Sequence, residues 1–198
     1  MEKQVIISIG REFGSGGHYI AERLAEKLGI ELLDRRLIER VAEEKGYEQE
    51  AINRFDEKGT SILFSRSING YSSSASEVVA QAQFEVLRRD AAEGRSFVVV
   101  GRCAEDILRE YSGLIRIFVR SDTNSKKKRI MEKYELSEEK ALSLMKKMDR
   151  ERKFYHNYYC NNKWGDSRGY DITINSAMLG LDGTADLLEK LVRAKMAK

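Results

Sequence analysis

The sequence predicts an α/β domain built on a mainly parallel sheet of about five strands. Two patterns carry that expectation. Short runs rich in β-branched residues alternate along the chain with segments whose apolar residues recur every three or four positions. The first run, Val5-Ile6-Ile7-Ser8-Ile9, opens into a loop holding four glycines in eight residues, Gly10-Arg11-Glu12-Phe13-Gly14-Ser15-Gly16-Gly17. Size bounds the answer: 198 residues with 41% hydrophobic content can bury one core, with room for a small insert.

After the loop, Ile20, Leu24 and Leu28 recur at a spacing of four beside Ala21 and Ala25, an apolar helix stripe that Gly29 closes. Ile30-Glu31-Leu32-Leu33-Asp34 reads as a second strand ending in an acid. Arg35 and Arg36 follow, and Leu37, Ile38, Val41 and Ala42 mark a helix that Gly46 stops. Residues 47–75 are the least regular part. Residues 48–56 fit one helix with Ile52 and Phe55 as its apolar side, and 65–74 read as polar loop. Ser74-Ala75-Ser76-Glu77 matches a capping box and opens a helix bearing Ala80, Phe84, Leu87 and Ala91, ended by Gly94. A strand-free insertion of this kind is either a mobile lobe or a long surface connection.

Phe97-Val98-Val99-Val100 is the cleanest buried strand, ending in Gly101-Arg102. A short helix carries Ala104, Ile107, Leu108 and Tyr111. Leu114-Ile115-Arg116-Ile117-Phe118-Val119 is the next strand and runs into Arg120-Ser121-Asp122. The helix after it holds Lys126, Lys127, Lys128 and Arg129. Such a run is ordinarily a solvated face, and only Arg129 is singled out. From Ser137 a helix runs through Ala141, Met145 and Met148 into a charged stretch and the aromatic cluster at 154–159. Tyr170-Asp171-Ile172-Thr173-Ile174-Asn175 is a last strand, and Leu187, Leu188, Leu191 and Val192 mark the final helix.

Strand, glycine loop and helix in that order make a phosphate cradle. Loop amides and the unpaired N–H groups of the helix N-terminus point at one spot, and the helix dipole favours an anion there. Phe13, Gly14, Ser15, Gly16, Gly17 and His18 are therefore the candidate phosphate-binding residues. The loop departs from the usual phosphate-loop pattern, in which Gly-Lys-Ser/Thr follows: the lysine position is Gly17 and the hydroxyl position His18. In parallel α/β folds, residues just past a strand's end face the ligand crevice, which places Asp34, Arg35 and Arg36 where a substrate is read and Gly101-Arg102 at the same ligand edge. Asp34 is equally suited to capping the helix behind it.

Composition narrows the classes. The net charge of +3 comes from 35 basic and 32 acidic side chains, intermixed, which suits a small anionic substrate rather than a nucleic-acid stripe. Cys103 and Cys160 are too few for a disulfide framework and show no zinc-ligand spacing, so reduced thiols and a cytoplasmic setting are expected. No apolar run reaches the length of a signal peptide or a membrane span.

Taken together, the pieces resemble the nucleoside monophosphate kinases, and most closely the cytidylate kinase-like branch, which reads Gly-Ser-Gly-Gly where others read Gly-Ser-Gly-Lys. The carriers are Arg11-Glu12-Phe13-Gly14-Ser15-Gly16-Gly17, Asp34-Arg35, Val100-Gly101-Arg102, Asp149-Arg150-Glu151-Arg152, Lys163-Trp164-Gly165-Asp166 and the last strand. The resemblance implies a three-layer α/β/α domain of the P-loop nucleoside triphosphate hydrolase type. It further implies a monophosphate-binding lobe over residues 36–93 and a lid over 137–165.

It also implies ATP with Mg²⁺ as cofactor and small-molecule nucleotides as partners. Arg102 matches an arginine that holds the acceptor's phosphate, and Arg129 falls near another on the substrate side. In the lid, Lys147, Asp149, Arg150, Glu151 and Arg152 fall on a charged motif whose further arginine is here Phe154. Phosphoryl transfer needs positioning and cations above all. Arg11, a lid arginine or protonated His18 would have to replace the absent lysine.

The expected activity is ATP-dependent phosphorylation of a nucleoside monophosphate, CMP or dCMP in particular. A nucleotide-binding sensor on a kinase fold, favoured by Gly17, and a kinase for another small acceptor are the alternatives.

Overall fold

The computed structural model describes residues 3–45 and 73–197. Five parallel strands form one sheet in the order β2-β3-β1-β4-β5. They are β1 (Ile6–Arg11), β2 (Glu31–Leu33), β3 (Phe97–Val100), β4 (Leu114–Arg120) and β5 (Ile172–Asn175). The helices are α1 (Gly17–Leu28), α2 (Arg35–Lys45), α3 (Ser73–Ala92), α4 (Ala104–Ile107), α5 (Thr123–Tyr134), α6 (Glu138–Tyr159) and α7 (Gly180–Met196). The helix expected over 48–56 and most of the loop expected over 65–74 lie outside the described residues.

The pleat of β1 sorts the two cores. Ile6 points to the face covered by α2, α3 and α4, with Leu33, Leu37, Val41, Leu87 and Leu108. Val5, Ile7 and Ile9 point to the other face, against Ile20 and Leu24 of α1 and Leu188 and Val192 of α7. Burying each such side chain is worth about 1.5–3 kcal/mol. Helices on both faces are what an all-parallel sheet requires, since each crossover lays its helix on a face.

Boundaries differ from the sequence expectation in physical ways. β1 continues through Gly10 and Arg11, which still pair with Phe118 and Val119 of β4, so the loop proper is only Glu12–Gly16. Gly10 belongs to the sheet: a Cβ there would lie 2.9 Å from Phe118 Cδ2 and 3.1 Å from Tyr170 Cε1. α3 begins at Ser73, which puts Ser74 inside the helix rather than at its cap. α6 begins where Ser137 caps it, its hydroxyl accepting from the Lys140 N–H.

Candidate active site at the glycine loop

The loop between β1 and α1 is closed by its own hydrogen bonds. The Ser15 N–H and hydroxyl both donate to the Glu12 carbonyl, at 3.3 and 2.8 Å. The Gly17 N–H donates to Ser15 Oγ at 3.3 Å, and Ser176 beyond β5 donates to the Ser15 carbonyl at 2.6 Å. Gly14 and Gly16 take left-handed φ values of 81° and 79°. At Gly16 a Cβ would also stand 2.4 Å from Leu181 of α7, so this glycine is dictated twice over. The Phe13 N–H donates to Asp149 Oδ1 at 2.6 Å. Three of the six amides from Phe13 to His18 are thus committed within the protein. Among the described residues, those of Gly14, Gly16 and His18 donate to no protein acceptor. They flank the N-terminus of α1, where the dipole favours an anion.

Arg11 occupies the ground that the lysine of a standard phosphate loop would need. A Cβ on Gly17 would lie 2.6 Å from Arg11 Cβ and 3.2 Å from its Cγ. At the far end of the side chain, a Cβ on Gly101 would lie 2.1 Å from Arg11 Nη1. The side chain therefore crosses from Gly17 to Gly101, over the gap between β1 and β3 on the ligand edge of the sheet. Gly101, Arg102 and Cys103 are consecutive left-handed residues, with φ of 74°, 61° and 55°. For the two non-glycines this costs roughly 1–2 kcal/mol each. Such strain clusters at functional positions, and here it shapes the turn in which the half-buried Arg102 follows Gly101, the residue that the Arg11 guanidinium reaches.

α5 and α6 brace the loop. The Phe13 ring stacks on Tyr134 at 6.0 Å, and the Arg152 guanidinium lies 5.3 Å from its centroid. Arg152 Nη1 also donates to the Arg11 carbonyl at 3.3 Å, and Arg129 donates to the Gly14 carbonyl. Lys126 is buried, its Nζ 2.9 Å from Glu12 Oε2 and 3.7 Å from Asp149 Oδ2. Glu12 Oε2 accepts from the Ser121 N–H as well, at 3.2 Å. Burial lowers the pKa of both Arg129 and Arg152. Burial also raises that of Asp149, against the Phe13 N–H and Lys126.

Other expected site residues fall elsewhere. Lys147 and Arg150 are exposed and have no partner among the described residues, and Glu151 is half-buried. His18 Nε2 lies 3.3 Å from Glu22 and 3.6 Å from Asp34, which ties it to the β2 side rather than over the loop. Arg35 opens α2. Lys126 and Glu12 were not singled out from the sequence, though Ile130, one turn on from Lys126, marks that face of α5 as buried.

A second polar cluster lies under the sheet edge. Glu105 of α4 accepts from Ser8 at 3.1 Å and from Tyr170 at 3.1 Å, and pairs with His156 Nε2 of α6 at 2.9 Å. Burial alone would raise Glu105, but the bond and charge of His156 hold it below the usual carboxylate value. Burial likewise opposes the charge on His156, but Cys160 and Glu105 overcome it and push its pKa up to about 10. Donor atoms of Glu105, His156 and Cys160 lie within 4.8 Å of one another, a grouping that linear spacing around the cysteines did not reveal. With Ser8, Tyr170 and His156 all bonded to Glu105, the cluster is satisfied without an ion.

A protein-held Mg²⁺ does not fit the acids at these strand ends. Glu12 and Asp149 are engaged with Lys126, Asp122 accepts the Ser125 N–H at 2.9 Å as the cap of α5, and Asp34 faces His18. The Ser15 hydroxyl is bound into the loop. Mg²⁺ characteristically keeps waters and rides on substrate phosphates, and that is the mode these residues leave open.

A five-strand parallel sheet between helical layers, with a glycine loop joining its central strand to the first helix, is the architecture of the P-loop small-molecule kinases. The cytidylate kinase-like family model matches residues 6–178, and the chain belongs to that family. A solved structure described as an uncharacterized protein from Eubacterium ventriosum is 39% identical, with a TM-score of 0.77 over 96% of this chain and 99% of that one. Shikimate kinase from Acinetobacter baumannii, in complex with shikimate, is 16% identical with a TM-score of 0.54 over 100% and 97% of the two chains. Shikimate kinase from Bacteroides thetaiotaomicron is 12% identical with a TM-score of 0.56 over 96% and 98%. The latter two show likeness of fold alone. None of the curated proteins matches the chain in sequence. Among the described residues no helix is long and apolar enough to cross a membrane.

Proposed function

We propose that the chain transfers the γ-phosphoryl group of ATP to a nucleoside monophosphate, with CMP or dCMP as the favoured acceptor and Arg11 in the office of the missing lysine. The family match supports phosphoryl transfer in general. The observation that carries the finer reading is the path of Arg11, whose stem fills the space above Gly17 and whose guanidinium reaches Gly101, beside Arg102. A cation there stands between the donor's cradle and the arginine matched to the acceptor's phosphate.

In this reading the open amides of Gly14, Gly16 and His18 take the donor's phosphate oxygens. Arg11 and Arg102 hold the transferring and accepting groups in line, and the lid over residues 137–165 brings Lys147 and Arg150 to them. Asp149, Arg152, Lys126 and Arg129 do not touch substrate; they fix the loop that does. Mg²⁺ carried on the nucleotide supplies charge neutralisation when bound. Losing one preorganised contact to the transition state costs about 3–4 kcal/mol, so Arg11→Ala is expected to lower kcat by a few hundredfold. The test is acceptor-dependent ADP formation from ATP across a panel of monophosphates. If no monophosphate stimulates ADP formation while small hydroxyl acceptors do, the acceptor assignment is wrong.

The engagement of three loop amides within the protein favours a second reading, a nucleotide-binding sensor on the same fold. It predicts nucleotide-induced thermal stabilisation with no turnover on any acceptor.

A further inference from the structure

The two cysteines, distant in sequence, share one place in the fold. Cys103 follows Arg102 in the left-handed turn after β3 and is 2% exposed. Cys160 caps the C-terminal end of α6 and is half-buried. Both lie in one cluster with Ala80 and Phe84 of α3 and Tyr159 of α6. Donor atoms of Cys160, His156 and Glu105 lie within 4.8 Å of one another, His156 pairing with Glu105 at 2.9 Å, and Cys160 packs against the cluster that contains Cys103. We infer that Cys103 and Cys160 form a reversible disulfide, in which Cys160 meets a peroxide oxidant and Cys103 resolves it.

The environments divide the two roles. The thiolate is the nucleophile in such chemistry, and access decides which sulfur reacts first. Cys160 is the less buried of the two, and the neighbouring Cys103 thiol, with His156 behind it, holds Cys160 below the usual thiol range against its burial. The neighbouring Cys160, burial and the carboxylates of Glu105 and Asp106 all push Cys103 up, so it stays a thiol until a neighbouring sulfur becomes electrophilic.

The step balances with a hydroperoxide as the two-electron oxidant. The Cys160 thiolate attacks one peroxide oxygen, the O–O bond breaks, and the departing oxygen takes a proton from His156, leaving Cys160 as a sulfenic acid. Cys103 sulfur then attacks Cys160 sulfur, the S–O bond breaks, and the leaving hydroxide departs as water with the Cys103 proton. Two thiols and one hydroperoxide become one disulfide, one water and one water or alcohol.

The bond would join the end of α6 to the turn that presents Arg102. Because α6 holds the glycine loop through Asp149 and Arg152, oxidation ties three parts of the site into one body. The disulfide stands independently of the proposed reaction; only its effect on turnover rests on that reading.

The test is to treat the fully reduced chain with hydrogen peroxide, block remaining thiols by alkylation and measure intact mass. Wild type is expected to lose both alkylation sites and two hydrogens within a monomer, and to recover them with dithiothreitol. Cys103→Ser is expected to stop at a sulfenic acid on Cys160 that dimedone traps, and Cys160→Ser to leave Cys103 unreacted. Without oxidant, native alkylation at Cys160 is expected to outrun that at Cys103 by about tenfold or more, a readout that needs no variant. Disulfides only between chains, or equal alkylation rates at the two thiols, would overturn the assignment. So would stoichiometric zinc retained by the purified chain and held by these sulfurs. Kinase turnover is measured beside the mass: a disulfide that forms in a chain without activity keeps this inference and removes only the functional reading.

Discussion

Gly17 and Arg11 form a complementary pair: the glycine is small because the arginine lies over it. Putting the lysine back should therefore fail. Gly17→Ala already sets a Cβ 2.6 Å from Arg11 Cβ, and overpacking of this kind destabilises by about 1–3 kcal/mol. Gly17→Lys is expected to lower the urea midpoint in the same way and to leave turnover no higher than wild type; a rise in kcat would show that Arg11 is no substitute. His156 and Glu105 make a second prediction, from linkage. With its folded pKa up at about 10 against about 6.5 in the unfolded chain, His156 contributes stability that is complete below pH ~6.5 and lost as pH rises toward 10. Glu105, held low, contributes stability present above its unfolded value of about 4.3 and lost as pH falls through its lowered pKa. Thermal melts should thus decline from neutral to alkaline pH more steeply in wild type than in His156→Gln. The sequence held one trace of this cluster, a serine in the middle of an otherwise apolar strand. Ser8 faces Glu105, but the partner comes from a distant helix and periodicity cannot name it.

Whole elements are joined by charges as well as by apolar faces. α2 and α3 are pinned by Arg40, whose Nη1 and Nη2 reach the two oxygens of the fully buried Asp90 at 2.5 and 2.7 Å. Breaking a fully buried pair from one side costs about 3–5 kcal/mol. Arg40 keeps some access to water, so Asp90→Ala is expected to cost about 2–3 kcal/mol in urea unfolding, with an apolar pair at both positions recovering most of it. α6 is the other element that charge positions. Asp149→Ala leaves the Phe13 N–H and Lys126 short of a partner each, and removal of a buried acceptor costs about 1–3 kcal/mol. Nucleotide-induced thermal stabilisation should shrink with it, since the loop loses its outer brace; an unchanged shift would detach α6 from the loop's function. The types and order of these elements were legible because strand and helix periods are local. Lys126 was not, because a run of basic residues reads alike whether one of them turns inward or all face water.

At the scale of the molecule, the sheet order rather than any single contact assembles the candidate site. Placing β1 between β3 and β4 brings the glycine loop, the Arg102 turn and the start of α5 to one edge, although they lie far apart in sequence. The alternation of strands and helices foretold a parallel sheet, since parallel neighbours need crossovers. Which strands became neighbours was not legible, because periodicity is local and sheet order is not, and the exchange of a lysine for an arginine on the adjoining strand likewise required coordinates. The same topology sets an order of local stability. β1 is hydrogen-bonded on both sides and covered on both faces, whereas among the described residues β2 and β5 are edges, each paired on one side only. Opening an edge exposes less apolar surface than opening the centre, so local openings should begin there. Native-state hydrogen exchange is expected to give amides of Ile7, Ile9 and Ile117 protection near the global unfolding free energy, and amides of β2 and β5 distinctly less. Added nucleotide should then slow exchange at Gly14, Gly16 and His18 well beyond the change at Ser15 and Gly17, whose N–H groups already have acceptors. Protection spread evenly over all of these amides would mean that the loop rearranges to bind, and would count against a preformed cradle.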